Sequence, residues 1–311
     1  MRFLMFTGQG SQFVGMGKEL YDNFDVVKDI FKKADSSLGF SLTKLMFEGP
    51  ENELTLTANA QPAILTVSVA IYNLLKSESD FDFDMASGHS LGEYSAFVAC
   101  GSFEFEDAVF AVHKRGEFMQ EAVAEGVGAM AAVLTKEHSK VEELCSAVSL
   151  ESADSYCNIA NYNAKNQVIV SGYKKGVDRV CEKARDMKLG KTIPLNVSAP
   201  FHCELMKPVE EKMANVLDKI ELKNPLKPVI ENVYSDTVTK AEDIEKYLIQ
   251  QITKPVRWLQ NVERAIETGC DEFVEMGPKN VLSSMLKRDY RKANINYIVD
   301  LSSYNGYKGK I

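Results

Sequence analysis

A serine set between two glycines, Gly88-His89-Ser90-Leu91-Gly92, joins a short apolar run at Phe83–Ser87 to a helical stretch at Leu91–Cys100, which Gly101 stops. This is the pattern of a nucleophile elbow, a strained turn from a strand into a helix. The residues around the serine must be small because the chain passes close to itself there. The turn exposes the hydroxyl and aims the next backbone amide, at a helix N-terminus, toward developing negative charge. Such a turn needs a strand end with a helix packed back upon it, so it asks for layered α/β architecture. Taken alone, the pattern arises by chance in roughly one chain in ten of this length. The preceding strand and the small residues Ala96 and Ala99 in the following helix favour a nucleophile.

The rest of the chain alternates in the same sense. Arg2–Phe6 is apolar and runs into Gly8-Gln9-Gly10-Ser11. Helical spacing over Lys18–Leu38 places Leu20, Phe24, Val27, Ile30 and Phe31 on one side. A second helix is predicted to begin near Pro62, a residue suited to the first helical position, and to continue through Ile64, Leu65, Ser68, Ile71, Tyr72 and Leu75. Gly128–Leu134 and Gln167–Ser171 read as strands, each followed by a helical pattern, at 136–148 and 173–188. Lys191–Val197 is a further strand. Two β–α units in this short stretch suit a small α+β subdomain of ferredoxin-like type. A helical pattern resumes after His202 through Ile220, and Glu272–Glu275 is a last strand before Gly277-Pro278. A mainly parallel sheet is expected.

A nucleophilic serine needs a base, usually histidine. Four histidines are available. His89 sits inside the elbow and points away from the serine. His113 and His138 have charged neighbours and read as solvated. His202 lies in the apolar segment Val197-Ser198-Ala199-Pro200-Phe201-His202-Cys203 and is the best base candidate, the alternative being a core histidine satisfied by backbone. Asp154, Asp178 and Asp186, between the serine and the histidine, lie in polar stretches and read as surface charges.

Composition narrows the partners. A formal net charge of -8 disfavours nucleic acid and anionic membrane. No apolar run reaches the roughly 20 residues of a membrane span, and the start lacks the apolar region of a signal peptide, so a cytoplasmic protein is expected. The six cysteines, at positions 100, 145, 157, 181, 203 and 270, form no C-x-x-C pair and match no zinc spacing. Reduced, mostly buried thiols and no bound metal are expected, with Cys203 a packing residue.

Eight segments occur in order: Gly8-Gln9-Gly10-Ser11-Gln12, Gln61-Pro62-Ala63, Gly88-His89-Ser90-Leu91-Gly92-Glu93, Arg115-Gly116, Gly128-Ala129-Met130, Asn161-Tyr162-Asn163, His202-Cys203 and Pro255-Val256-Arg257-Trp258. Together they resemble the malonyl-CoA:acyl carrier protein transacylases of fatty acid synthesis and the related acyltransferases of polyketide synthesis, from about residue 3 to residue 288. The fold class implied is α/β: an α/β-hydrolase-like large subdomain with a parallel sheet, residues 1–126 and 198–311, carrying an inserted small ferredoxin-like α+β subdomain, residues 127–197.

The resemblance implies that Ser90 is the nucleophile and His202 its base, with a backbone carbonyl at Gln251 orienting the histidine in place of a carboxylate. The amides of Gln9 and Leu91 would form the oxyanion hole. Arg115 would hold the malonyl carboxylate, since a guanidinium stays charged and pairs bidentately; read from the residues alone it could be a surface helix charge beside Glu117. Gln61 and Met119 would line the pocket, although Gln61 could be a polar residue at a helix start. Asn161 and Asn163 match a segment near the cleft and could equally be turn residues. Glu93 would complement the first-turn dipole. Phe201 matches malonyl-selective relatives, where a bulky ring crowds a methyl branch.

The implied partners are malonyl-CoA and an acyl carrier protein, with no metal or organic cofactor and a monomeric enzyme. Lys174, Lys175, Lys183, Lys188 and Lys191 form a candidate docking patch, against the alternative of solvated helix charges. Thr7 stands where the family usually has proline, and Gly277 to Leu282 replaces a more glycine-rich segment. Three other readings stay open: a free-standing acyltransferase serving a polyketide synthase, a hydrolase that clears acyl groups from carriers, and a carrier-binding module without catalysis.

Overall fold

A computed structural model describes residues 1–310. The strands are β1 (Arg2–Phe6), β2 (Met85–Gly88), β3 (Gly128–Leu134), β4 (Cys157–Ala164), β5 (Gln167–Tyr173), β6 (Lys191–Pro194), β7 (Val229–Ile230), β8 (Thr237–Val238), β9 (Glu272–Met276) and β10 (Asn294–Ile298). The helices that lead to the elbow are α1 (Lys18–Asn23), α2 (Asp25–Leu38), α3 (Leu42–Glu48), α4 (Glu51–Thr55), α5 (Thr57–Glu78) and α6 (Gly92–Ala99). They are followed by α7 (Phe105–Glu121), α8 (His138–Ser149), α9 (Lys174–Asp186), α10 (Lys207–Leu217), α11 (Ala241–Gln250), α12 (Trp258–Glu267), α13 (Val281–Asp289) and α14 (Leu301–Lys308).

Two sheets organise the chain. The larger runs β10-β9-β1-β2-β7-β8 and is parallel except at its β7–β8 edge. The smaller is antiparallel, in the order β4-β5-β3-β6, with α8 after β3 and α9 after β5. That βαββαβ connectivity is ferredoxin-like, as expected. Strands β1 and β2 are central and paired, with Phe6 opposite Gly88. The loops carrying Gln9 and Ser90 therefore leave adjacent strands at their carboxyl ends, where α/β sheets bind ligands.

The elbow glycines answer a steric demand. A Cβ at Gly88 would lie 1.9 Å from the backbone of Gly92, and one at Gly92 would lie 2.3 Å from the Phe6 carbonyl oxygen. Between them Ser90 takes a left-handed φ of 54°, a strained conformation for a non-glycine residue.

Several elements differ from expectation. The helix over 18–38 is two helices, broken where Phe24 is extended at φ −133° and ψ 125°. Pro62 does not start its helix but sits inside α5, which begins at Thr57. Proline frees the carbonyl four residues back, that of Ala58. His113 on α7 donates to that oxygen through Nδ1 at 2.8 Å, so it is a mostly buried structural group and not the solvated residue expected. Strand β4 was not anticipated, since Asn158, Asn161 and Asn163 interrupt its apolar pattern. Asn161 and Asn163 are thus strand residues, not turn residues. Strand β6 ends at Pro194, three residues short of the expected limit.

The edge strand β4 reaches the larger part of the chain. Tyr162 N–H donates to the Val256 carbonyl at 2.9 Å and Val256 N–H to the Ala160 carbonyl at 2.8 Å. Thr7 is buried against Gly277, where an added Cβ would stand 2.0 Å from its Oγ1. The two departures from the family pattern therefore meet in space.

Candidate active site

Ser90 Oγ lies 2.8 Å from His202 Nε2. On the far side of the ring, Nδ1 lies 2.7 Å from the Gln251 backbone oxygen. A carbonyl can only accept, so Nδ1 carries the proton and Nε2 is free to accept from the serine hydroxyl. Gln251 caps α11, and its carbonyl is one of those a helix end leaves unpaired. The negative end of the helix dipole would stabilise an imidazolium formed beside it. Burial of His202, followed by the nearby Arg115 charge, pushes its pKa down to about 3, so the ring is a neutral acceptor at neutral pH. No carboxylate touches it among the described residues. Asp154 and Asp178 instead pair with Lys175 and Lys174 at the surface.

His202 also has a left-handed φ, 57°. Its carbonyl accepts from Asn158 Nδ2 on β4 at 3.1 Å. The elbow is held from the other side by Asn232, just after β7. Asn232 Oδ1 accepts from Ser90 N–H at 2.8 Å and Nδ2 donates to the Gly88 carbonyl at 2.8 Å. Neither Asn158 nor Asn232 was anticipated. Asn232 follows a strand of only two residues, too short to show a period, and its bonds span more than 140 residues of chain.

Arg115 is 1% exposed, so it is not the surface charge its neighbour Glu117 allowed. Glu117 is occupied by Lys114 and His113. The guanidinium donates from Nη1 to Gln61 Oε1 at 2.8 Å, and from Nη2 to Gln251 Oε1 at 2.8 Å and Ser90 Oγ at 3.0 Å. Gln61 is buried within α5, with its Nε2 3.9 Å from Met119 Sδ. No carboxylate pairs with Arg115 among the described residues, so a desolvated cation borders the serine with only neutral acceptors around it.

The backbone N–H groups of Gln9 and Leu91 have no acceptor among the described residues, and Leu91 stands at the N-terminus of α6. Gln9 is steadied by Nε2, which donates to Thr57 Oγ1 at 3.3 Å. Asn163 Oδ1 lies 2.8 Å from His89 Nε2. Asn161 belongs to the β4 bridge with Val256. Phe201 is buried beside His202. Glu93, expected only to complement a helix dipole, is fully buried and accepts from Gln251 Nε2. Burial and the neighbouring Glu231 raise its pKa well above the usual carboxylate range.

All six cysteines are buried and unbonded, and Cys203 Sγ donates to the Pro200 carbonyl at 3.0 Å. Among the described residues no cluster of His, Cys, Asp or Glu could hold a metal ion, and no helix is long and apolar enough to cross a membrane. Of the five clustered lysines, Lys174, Lys175 and Lys183 are in ion pairs with the acidic neighbours Asp178, Asp154 and Glu151.

Residues 3–304 match the family described as Acyl transferase domain. A malonyl CoA-acyl carrier protein transacylase of Bacillus subtilis (strain 168) is 46% identical over 288 residues, covering 93% of this chain and 90% of that protein. An acyl carrier protein S-malonyltransferase from Vibrio cholerae superimposes with a TM-score of 0.95 at 35% identity, covering 98% of this chain and 99% of that one. A malonyl-transacylase in complex with its type II polyketide synthase acyl-carrier protein gives 0.96 at 36% identity, covering 100% and 99%. Likeness over nearly the whole length, in residues and in backbone path alike, establishes that the chain belongs to the acyl transferase domain family.

Proposed function

We propose that the chain moves a malonyl group from malonyl-CoA to the phosphopantetheine thiol of an acyl carrier protein, through a malonyl ester on Ser90. The observation that carries this reading is the buried Arg115 guanidinium, unpaired with any carboxylate among the described residues and 3.0 Å from Ser90 Oγ. An acyl group on that oxygen with a free carboxylate at its far end has a cation waiting for it; an acetyl group does not use it.

In the first half-reaction Ser90 Oγ attacks the thioester carbon while His202 Nε2 takes the hydroxyl proton. The Gln9 and Leu91 amides face the oxyanion of the tetrahedral intermediate. Collapse breaks the C–S bond, and the imidazolium returns the proton to the departing CoA thiolate. In the second half the carrier thiol attacks the ester, His202 accepts its proton, and collapse gives that proton back to Ser90 Oγ. The two halves balance without a redox step, and this route needs no metal or organic cofactor.

Every group invoked comes from one chain, which suits a monomer, and a cytoplasmic setting suits substrates of this kind. Phe201 beside the base favours malonyl over methylmalonyl. Service in fatty acid synthesis is the leading role, and supply of a polyketide synthase is the alternative.

Intact-mass analysis after mixing with malonyl-CoA tests the reading. A malonyl adduct is expected on the wild type and none on Ser90→Ala, and the adduct should pass to added holo carrier protein. Arg115→Ala should lower kcat/KM for malonyl-CoA by roughly a hundredfold, the worth of a lost charge-assisted bidentate pair. Release to water instead of to the carrier would point to a hydrolase, and absence of any adduct would remove the assignment.

A further inference from the structure

The Gln251 side chain stands between the buried Arg115 guanidinium and the buried Glu93 carboxyl. Its Oε1 accepts from Arg115 Nη2 at 2.8 Å, while its Nε2 donates to Glu93 Oε2 and, at 3.0 Å, to the Ser90 carbonyl. The amide orientation follows from groups whose roles are not interchangeable. Ser90 N–H can only donate, so Asn232 must present Oδ1 to it and Nδ2 to the Gly88 carbonyl. Asn232 Oδ1, 3.3 Å from Gln251 Nε2, is then an acceptor, as is the Ser90 carbonyl. With Glu93 these make three acceptors around Nε2, which leaves Oε1 for the guanidinium.

We infer that the Gln251 side chain, backed by Glu93, is a positioning pair that sets the preference for acyl groups bearing a carboxylate, an inference resting on the malonyl reading above. Glu93 accepts from the Gln251 amide and so holds its oxygen toward the guanidinium, without touching the guanidinium itself. Arg115 is therefore aimed at Ser90 and partly compensated, yet holds no carboxylate that the substrate would have to displace. A carboxylate placed directly at position 251 would neutralise the cation and compete for the same N–H groups. Neither side chain touches the reacting atoms. The link from position 251 to His202 runs through the backbone carbonyl, which survives substitution of the side chain.

The test compares acylation of Ser90 by malonyl-CoA and by acetyl-CoA in wild type, Gln251→Glu, Gln251→Met and Glu93→Gln. The readout is the ratio of the two kcat/KM values. Gln251→Glu is expected to lower the malonyl-to-acetyl ratio by about a hundredfold and Gln251→Met by about tenfold, the range of a lost or opposed charge-assisted hydrogen bond. Glu93→Gln keeps an acceptor toward Nε2 and should hold the ratio within about threefold of wild type. A merely structural role would lower both substrates together. Parallel losses, an unchanged ratio in Gln251→Met, or a fall in Glu93→Gln as large as in Gln251→Met would each overturn the inference. If Gln251→Glu does not fold, Gln251→Met decides. Failure of the wild type to take up malonyl at all would count against the proposed function, which separates the two ideas.

Discussion

At the scale of single residues, the site works by withholding charge. His202 is buried beside a cation, and both effects press it toward the neutral form, to about 3 from an ordinary 6.5. A general base must be neutral to accept a proton, so in the proposed mechanism its function is present above the folded pKa and is lost only as pH falls through about 3. The kcat/KM for malonyl-CoA should therefore be flat from roughly pH 5 to pH 8 in stopped-flow acylation. An inflection near the ordinary histidine value would contradict this. Arg115→Ala removes one cause of the depression and should move the acid limb upward. The same shift acts on stability. The unfolded chain takes a proton on this histidine as pH drops through 6.5, while the folded chain refuses it until about 3. Stability is thus lost progressively across that window.

At the scale of elements, opposite helix ends meet at one serine. The N-terminus of α6 offers the Leu91 amide toward negative charge, and the C-terminus of α11 offers the Gln251 carbonyl to the imidazole. Helix α5 shows a different economy of backbone groups. Pro62 leaves the Ala58 carbonyl without an intrahelical donor, and His113 supplies one. His113→Ala should destabilise the protein by about 1–2 kcal/mol, the cost of an orphaned buried acceptor. In a Pro62→Ala background residue 62 regains its N–H, so the same substitution should cost much less. Urea unfolding of the four proteins in this cycle measures the coupling, and additive effects would contradict it.

The same element scale explains what could be read along the chain and what could not. Gly128–Leu134 reads as a strand over the limits it has in the fold, because its small and apolar residues form an uninterrupted run. Strand β4 escaped notice because three asparagines break its pattern. Asn158 and Asn163 make side-chain contacts across the molecule, to the His202 carbonyl and to His89, and the strand's register shifts between Ile159 and Asn161 and between Tyr162 and Ala164. Gly88 and Gly92 were legible because their steric demand is local. Asn232 was not, since nothing near it in the chain distinguishes it from any polar residue after a short strand.

At the scale of the whole molecule, the small antiparallel sheet touches both His202 and the elbow that carries Ser90. Asn158 holds the carbonyl of His202, Asn163 lies against His89 beside Ser90, and the β4 backbone bonds to Val256. The spacing of Ser90 Oγ and His202 Nε2 is therefore set partly by how the small subdomain sits on the large one. Asn158→Ala should lower kcat by about tenfold while leaving KM for malonyl-CoA within a few-fold, as expected for loss of one hydrogen bond that holds a strained backbone. Steady-state transfer to a carrier protein checks this, and an unchanged kcat would show that the strain at His202 is maintained without β4.

The residues by themselves determined the strand–turn–helix at Ser90 and the α/β alternation and pointed to His202 as the candidate base, because glycine sterics, apolar period and the scarcity of histidine are properties of short stretches of chain. The tertiary structure alone decided that Arg115 is buried and unpaired, that Glu93 is withheld from solvent, and that Gln251 stands between them. Those facts depend on side chains brought together from as far as 136 and 158 residues apart. What a polar group does is set by what it faces and by how much water remains, and neither is written in its neighbours along the chain.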